Sequence, residues 1–210
     1  MGDGTRAGVA SLRATRWFTG EPVPTGEIVR VLEAARWTGS ARNRQPWRFV
    51  VVRDRELQRR LSLLGGYAGH LATAPVVVLL AIDHGTGGED AEFDGGRVAQ
   101  SLMLAAHAAG LGSCPASFFP AANVARAGRL AGVEPPWRVR TAISLGYPAP
   151  APEGRSAIPT GRLPLDRLVR WIEPSTTVDA AGSSTYVDTM HRERIIGLAG
   201  ARRGDLDGRA

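Results

Sequence analysis

The residues of this chain best suited to chemistry form one short run, Ser40-Ala-Arg-Asn-Arg-Gln-Pro-Trp-Arg-Phe49. It carries two side-chain amides, Asn43 and Gln45, and the guanidiniums of Arg42, Arg44 and Arg48, ahead of an apolar stretch beginning at Phe49. An amide offers a donor and an acceptor side by side, and a guanidinium is a planar fork for carboxylate or phosphate. Such a set suits gripping the edge of a planar heterocycle better than breaking a bond. Loops held on a rigid scaffold are where binding chemistry usually sits.

Groups that would do chemistry by themselves are missing. The sequence has no lysine, so its 26 basic residues are all arginine and a Walker loop is excluded. No Gly-x-Gly-x-x-Gly follows a strand-like run, and neither His-Glu-x-x-His, Cys-x-x-Cys nor Gly-x-Ser-x-Gly occurs. The lone Cys114 rules out an internal disulfide and a multi-cysteine zinc site, and reads as small buried packing. The histidines at 70, 84, 107 and 191 show no ligand spacing, so no metal is expected. A chain lacking its own acid, base or nucleophile fits a reaction carried by a bound cofactor, which the protein orients and tunes.

Elements must position that loop. At 210 residues, 43% hydrophobic and 22% charged, the sequence is that of one ordinary globular domain. Net charge is +6, yet no basic run or aromatic ladder accompanies it, so no nucleic-acid partner is expected. Without a signal-like start or a membrane-length apolar run, no membrane partner is expected and a cytoplasmic location is. The pattern predicts a helix over 9–16, an extended Glu21–Pro24, and a helix from an N-cap at Thr25 to about Thr38. In the latter, Ile28, Val31, Leu32 and Ala35 share one face. Strands are expected near 49–52, 75–82, 112–118 and 139–145, with helices over 55–64, 94–109 and 122–130. The second strand, a continuous apolar run, predicts burial on both faces. His84–Glu92 reads as a surface loop, Leu163–Ile172 as a compact apolar segment, and 174–210 as an arm or tail beyond a domain of residues 1–173.

Four segments, in order across residues 9–172, resemble the FMN-dependent nitroreductase family. They are Arg13-Ala-Thr-Arg-Trp-Phe-Thr-Gly-Glu-Pro-Val-Pro24, Glu33–Val52 around the amide loop, Asp94–Pro115, and Ile143-Ser-Leu-Gly-Tyr-Pro148 with Gly161-Arg-Leu-Pro-Leu165. The resemblance implies an α+β fold, a mainly antiparallel central sheet flanked by helices, in an intertwined homodimer with FMN at the interface. It further implies that the segment after residue 162 crosses to the partner and adds an edge strand there, including Arg170-Trp-Ile172.

Carried over by residue, the resemblance assigns Arg13, Ala14, Thr15 and Arg16 to the flavin grip, with arginine facing the phosphate. Ser40, Ala41 and Asn43 match the loop that reaches a flavin from the second subunit, and Gln45 closes its base. Pro115, Ala116, Ser117 and Phe118 match the stretch along the flavin N5 side, where a backbone N–H would tune that atom. Arg162 matches a late phosphate-binding arginine, and Phe118 with Phe119 would wall the acceptor pocket. Leu12 and Ala14 stand where the family commonly has arginine and serine.

The activity so implied is ping-pong hydride transfer. NADH or NADPH is the donor, and a small nitroaromatic or quinone acceptor then takes its place, with no protein residue as catalyst. A biosynthetic flavin oxidase of the cyclodipeptide-oxidase type, using oxygen, is the alternative enzyme. A non-catalytic flavin-binding module is the alternative from another class.

Overall fold

The computed structural model describes residues 2–153 and 161–172, which fall into two units divided after Glu153. The expected arm at 174–210 lies outside the described residues.

The first unit is built on a four-stranded antiparallel sheet in the order β1-β2-β4-β3. Its strands are β1 (Trp47–Val52), β2 (Val76–Asp83), β3 (Gly112–Ser117) and β4 (Trp137–Gly146). Every residue of β2 is buried, as its unbroken apolar run requires of a central strand covered on both faces. Val76, Val78, Leu80 and Ile82 point to one layer, where they meet Ile28, Val31 and Ala35 of α2 (Thr25–Arg36) and Val98 and Leu102 of α5 (Ala91–Ala108). Val77, Leu79 and Ala81 point to the other, against Leu61 of α3 (Arg55–Ser62) and Val124 and Ala127 of α6 (Ala121–Leu130). The protein is thus α+β, with an antiparallel sheet between two helical layers.

Three local expectations are corrected. The first helix, α1, covers Gly2–Ser11, and residues 12–16 leave it. They run extended beside β3, where Ala14 forms a parallel bridge with Ser113 and the Thr15 N–H donates to the Ser113 carbonyl at 2.8 Å. An edge strand has backbone groups to satisfy, and that pairing overrides the helical tendency of the segment. At α2 the cap is Pro24, whose carbonyl accepts from the N–H groups of Glu27 and Ile28; Thr25 is already inside the helix.

The third correction concerns 84–92, which is ordered into helical turns. Asp83 accepts from the N–H groups of Gly85 and Thr86 at 2.8 and 3.2 Å and so caps α4 (His84–Gly87). A 3-10 turn, Gly88–Asp90, then leads into α5 three residues before the expected start at Asp94. Gly87 has no room for a side chain, since a Cβ there would sit 2.6 Å from that of Ala91 and 3.0 Å from that of Pro46.

In the second unit, Leu165–Arg167 makes one 3-10 turn and no strand forms among the described residues. Leu163, Leu165, Leu168, Trp171 and Ile172 are exposed, so this segment builds no apolar cluster of its own. Arg162 is exposed, and its guanidinium donates to the Gly161 carbonyl at 2.8 Å.

Candidate functional site

The amide loop is over-determined by its anchors. Arg42, Asn43 and Gln45 all hold positive φ, at 51°, 53° and 48°. Each such non-glycine residue costs about 1 kcal/mol or more, which neighbours must offset. The Ala41 N–H donates to the carboxylate of Asp94 at 2.9 Å, and the Gln45 N–H to Ser40 Oγ at 2.9 Å. Arg44 donates to the Gly87 carbonyl at 2.9 Å, and the Asp83 N–H to the Pro46 carbonyl at 3.0 Å. Gln45 Nε2 donates to Asn43 Oδ1 at 3.0 Å. That bond leaves the Asn43 amide hydrogens and Gln45 Oε1 for a ligand, a donor beside an acceptor. Asn43 and Gln45 are exposed, with Ser40 and Ala41 half-buried.

The second group of expected residues gathers on β3. Phe118 N–H donates to the Arg140 carbonyl at 2.8 Å, which fixes the parity of the ladder. Ala116 and Phe118 therefore spend their backbone groups on β4, while those of Ser113, Pro115 and Ser117 face the free edge. Proline has no N–H, so Ser117 carries the donor along 115–118. Its side chain and that of Pro115 are exposed, and Ala116 is buried. Phe118 is completely buried among Leu61, Val124 and Ala127. The expectation that its ring walls a pocket is wrong, because strand alternation turns it into the core. Phe119, the next residue, is 71% exposed.

Residues 13–16 lie along this same edge. Thr15 packs on Gly112, where a Cβ would fall within 2.6–2.8 Å of Thr15 atoms; only glycine admits the segment. Arg13 is exposed, and its guanidinium donates to the carbonyls of Ala10 and Leu12 at 2.6 and 2.9 Å, closing the end of α1. Arg13, Ser11, Thr15, His107, Gly112 and Pro148 line a recess of about 270 Å³. Ser11 Oγ and His107 Nε2 are 2.8 Å apart across it.

Behind the edge lies a buried polar set that sequence reasoning missed. Ser144 Oγ donates to the Cys114 carbonyl at 3.3 Å, so its contact with His70 Nδ1 at 2.8 Å makes the imidazole the donor there. Nε2 is then a bare acceptor, buried and without a partner among the described residues. Burial, and after it the nearby Arg16 charge, lowers the His70 pKa to about 4. Burial raises that of Cys114, against a smaller opposing effect of Arg16, so the thiol is inert packing. Among the described residues no cluster of histidine, cysteine or carboxylate could hold a metal.

The amide loop and the residues leading into 13–16 are not brought together within the chain. The loop is tied to Asp94 at the start of α5, whereas Ser11 meets His107 at its end. Thirteen residues of helix separate them, about 20 Å at 1.5 Å per residue. Arg162 belongs to the other unit and is described there alone.

Comparison with known proteins gives the family. The model of the nitroreductase family matches residues 9–64 and 62–147, most of the first unit. The chain belongs to the nitroreductase family. A Thermus thermophilus protein named NADH dehydrogenase is 31% identical over 76% of this chain and 91% of its own length. A Desulfovibrio desulfuricans protein assigned as a nitroreductase, solved in complex with FMN, superposes with TM-score 0.67 at 26% identity. That alignment covers 82% of this family member and 99% of the solved chain. A Streptococcus pneumoniae nitroreductase family protein shares the fold, with TM-score 0.68 at 23% identity over 80% of this chain and all of its own.

Proposed function

We propose that this protein is an FMN-dependent oxidoreductase of two identical chains, spending NADH or NADPH to reduce a small aromatic acceptor. The observation that carries this reading is the separation of the two half-sites along α5. Two such helices packed antiparallel about a twofold axis would set the amide loop of each chain beside the β3 edge of the other, making two shared sites. The outer face of α5 is suited to that contact: Phe93 is 69% exposed beside Gly96, Arg97 and Gln100, and these line a recess of about 620 Å³ with Thr38 and Gly39. The exposed leucines of residues 163–168 and Trp171 would then pack on the partner.

The residues present fit the cofactor. Arg13 offers an exposed guanidinium to the phosphate, in place of the arginine and serine replaced by Leu12 and Ala14. The Ser117 N–H stands at the open edge for a ring nitrogen. The Asn43 and Gln45 amides of the other chain offer a donor and an acceptor to the polar ring edge or ribityl chain. The buried Ser113 hydroxyl, unpartnered among the described residues, lies on the same strand. When bound, FMN supplies the hydride carrier, filled by NADH or NADPH and emptied by a nitroaromatic or quinone in alternation. The chain contributes grip, orientation and exclusion of water, and no side chain here need move a proton. No helix of the described residues is long and apolar enough to cross a membrane.

Reconstitution with FMN tests the reading. The expected product is a yellow dimer whose flavin is bleached by NADH or NADPH and restored by menadione. Protein that takes up no flavin overturns it. Turnover with oxygen and no nicotinamide would instead assign the biosynthetic oxidase, and bound but inert flavin a storage module.

A further inference from the structure

The arginines in and beside the amide loop are committed to partners, with one exception. Arg44 donates to the Gly87 carbonyl at 2.9 Å and stands 4.0 Å from the Asp90 carboxylate. Arg48 lies over the Trp137 ring at 4.2 Å, and Arg97 pairs with Asp94 at 3.3 Å. Arg42 is exposed and makes no side-chain hydrogen bond, ion pair or ring contact among the described residues. Its backbone is nonetheless held left-handed, at φ 51° and ψ 26°. Asparagine and glycine enter that region readily, and a long side chain resists it. Either would make the same turn at lower cost, so the fold does not call for arginine here. The sequence also has no acidic residue between Glu33 and Asp54, so nothing nearby along the chain neutralises this charge. Meanwhile the bonds to Asp94, Ser40 and Gly87 fix the backbone that carries it. Strain with no internal contact to offset it points to a ligand from outside.

We infer that Arg42 receives a phosphate group of the nicotinamide donor, and so selects dinucleotide donors over phosphate-free ones. This rests on the proposed flavin site, because Arg42 adjoins Asn43, whose amide that reading gives to the flavin of the other chain. A dinucleotide that lays its nicotinamide on the flavin carries its phosphates away from the ring and past the lip of the site. A guanidinium meets a phosphate through parallel, charge-assisted hydrogen bonds, and Arg42 has no carboxylate in its own loop to compete for them. NADH and NADPH share a pyrophosphate, and NADPH has a further 2′-phosphate; the fork suits either group. A quinone or nitroaromatic acceptor has neither, so Arg42 serves only the donor half of the alternation.

The test uses the FMN-loaded full chain and the variants Arg42→Asn and Arg42→Lys. Asparagine accepts the positive φ and leaves the loop its course, while lysine keeps the charge and loses the fork. The donors are NADH, NADPH and 1-benzyl-1,4-dihydronicotinamide, which has the hydride-donating ring and no phosphate; menadione is the acceptor. Binding of ADP-ribose and of its 2′-phosphate to the oxidised protein is followed by calorimetry, with no turnover involved. Arg42→Asn should raise the KM for the dinucleotides about tenfold, the low end for a hydrogen bond to a charged group. The matching ADP-ribose ligand should weaken by as much, and Arg42→Lys should fall between. The KM values for the benzyl compound and for menadione, and the affinity for FMN, should stay within about twofold. Equal loss with NADH and NADPH assigns the pyrophosphate, and loss confined to NADPH assigns the 2′-phosphate; either supports the fork. Unchanged KM for both dinucleotides overturns the inference. Equal loss with the benzyl compound overturns it too, since Arg42 then serves the loop or the ring. Lost FMN affinity does the same by giving the guanidinium to the flavin's own phosphate. A parent protein that takes up no FMN refutes the flavin reading itself, a result distinct from any of these.

Discussion

The backbone N–H of Ala41 donates to the carboxylate of Asp94 across 53 residues of sequence, and that carboxylate is 1% exposed. One buried charge thus clamps the amide loop to α5, with Arg97 Nη1 at 3.3 Å as its only ionic neighbour among the described residues. Replacing Asp94 by alanine strands the Ala41 N–H and removes the offset to three positive-φ residues. The expected cost is about 2 kcal/mol, the penalty for an unmade bond to a charged group. Urea unfolding would report it. Asp94→Asn keeps an acceptor and should recover most of the loss, while flavin affinity follows the same order.

His70 makes stability depend on pH in a definite direction. Its folded pKa, about 4, lies below the ordinary value of 6.5. Between those values the unfolded chain binds a proton that the native protein refuses. Stability from this group is therefore complete above pH 6.5 and is lost as pH falls toward 4. At pH 5 the deficit relative to pH 7 is about 2 kcal/mol, from roughly 1.4 kcal/mol per pH unit. Carboxylates add their own slopes, so the measurement is the difference between parent and His70→Gln in urea at pH 7 and pH 5. The variant should lack this part of the slope; parallel curves would show that His70 is protonated in the native protein.

Much of this was legible in the chain, and the failures share a cause. The unbroken apolar run of β2 required a strand covered on both faces, and the α2 spacing required one buried face. The loop at 40–47 was legible because amides, arginines and Pro-Trp together have no use in a core. By contrast, Leu12–Arg16 has ordinary helical composition, and its extended course is imposed by Ser113, almost a hundred residues away. Phe118 and Phe119 are the same residue type in adjacent places, so only the strand register, which pairs Ser117 with Thr141, decides which ring is core. Asp94 and His70 act through partners 53 and 74 residues distant. Local pattern carries no sign of such contacts.

Gly112 provides a separate check on how residues 12–16 are held. In Gly112→Ala the new methyl meets Thr15 at 2.6–2.8 Å, closer than real Cβ contacts, and the segment must lift from β3. Overpacking of this kind costs about 1–3 kcal/mol. Because the strain falls on a terminal segment, it should appear as local opening. Trypsin should cut after Arg13 and Arg16 at least tenfold faster in native buffer, with the main unfolding transition little changed. Adding Thr15→Gly should restore resistance. Protection equal to the parent in Gly112→Ala would show that the Thr15 contact does not hold the segment.

Asn43 separates the role of a side chain from that of a backbone. Its φ of 53° is one that asparagine tolerates and alanine resists, at about 1 kcal/mol. Asn43→Ala therefore combines that strain with loss of the amide that Gln45 orients, whereas Asn43→Gly loses the amide alone. If the amide contacts a flavin held by the other chain, both variants should weaken FMN binding about tenfold, worth about 1.4 kcal/mol. Only the alanine variant should also lose stability without ligand. The proper measurements are flavin fluorescence titration and urea unfolding of apoprotein, run on the same preparations. Affinity lost by Asn43→Ala but kept by Asn43→Gly would assign the effect to loop strain and remove this side chain from the site. Affinity kept by both would remove it as well, leaving the loop's rigidity without a ligand to explain it.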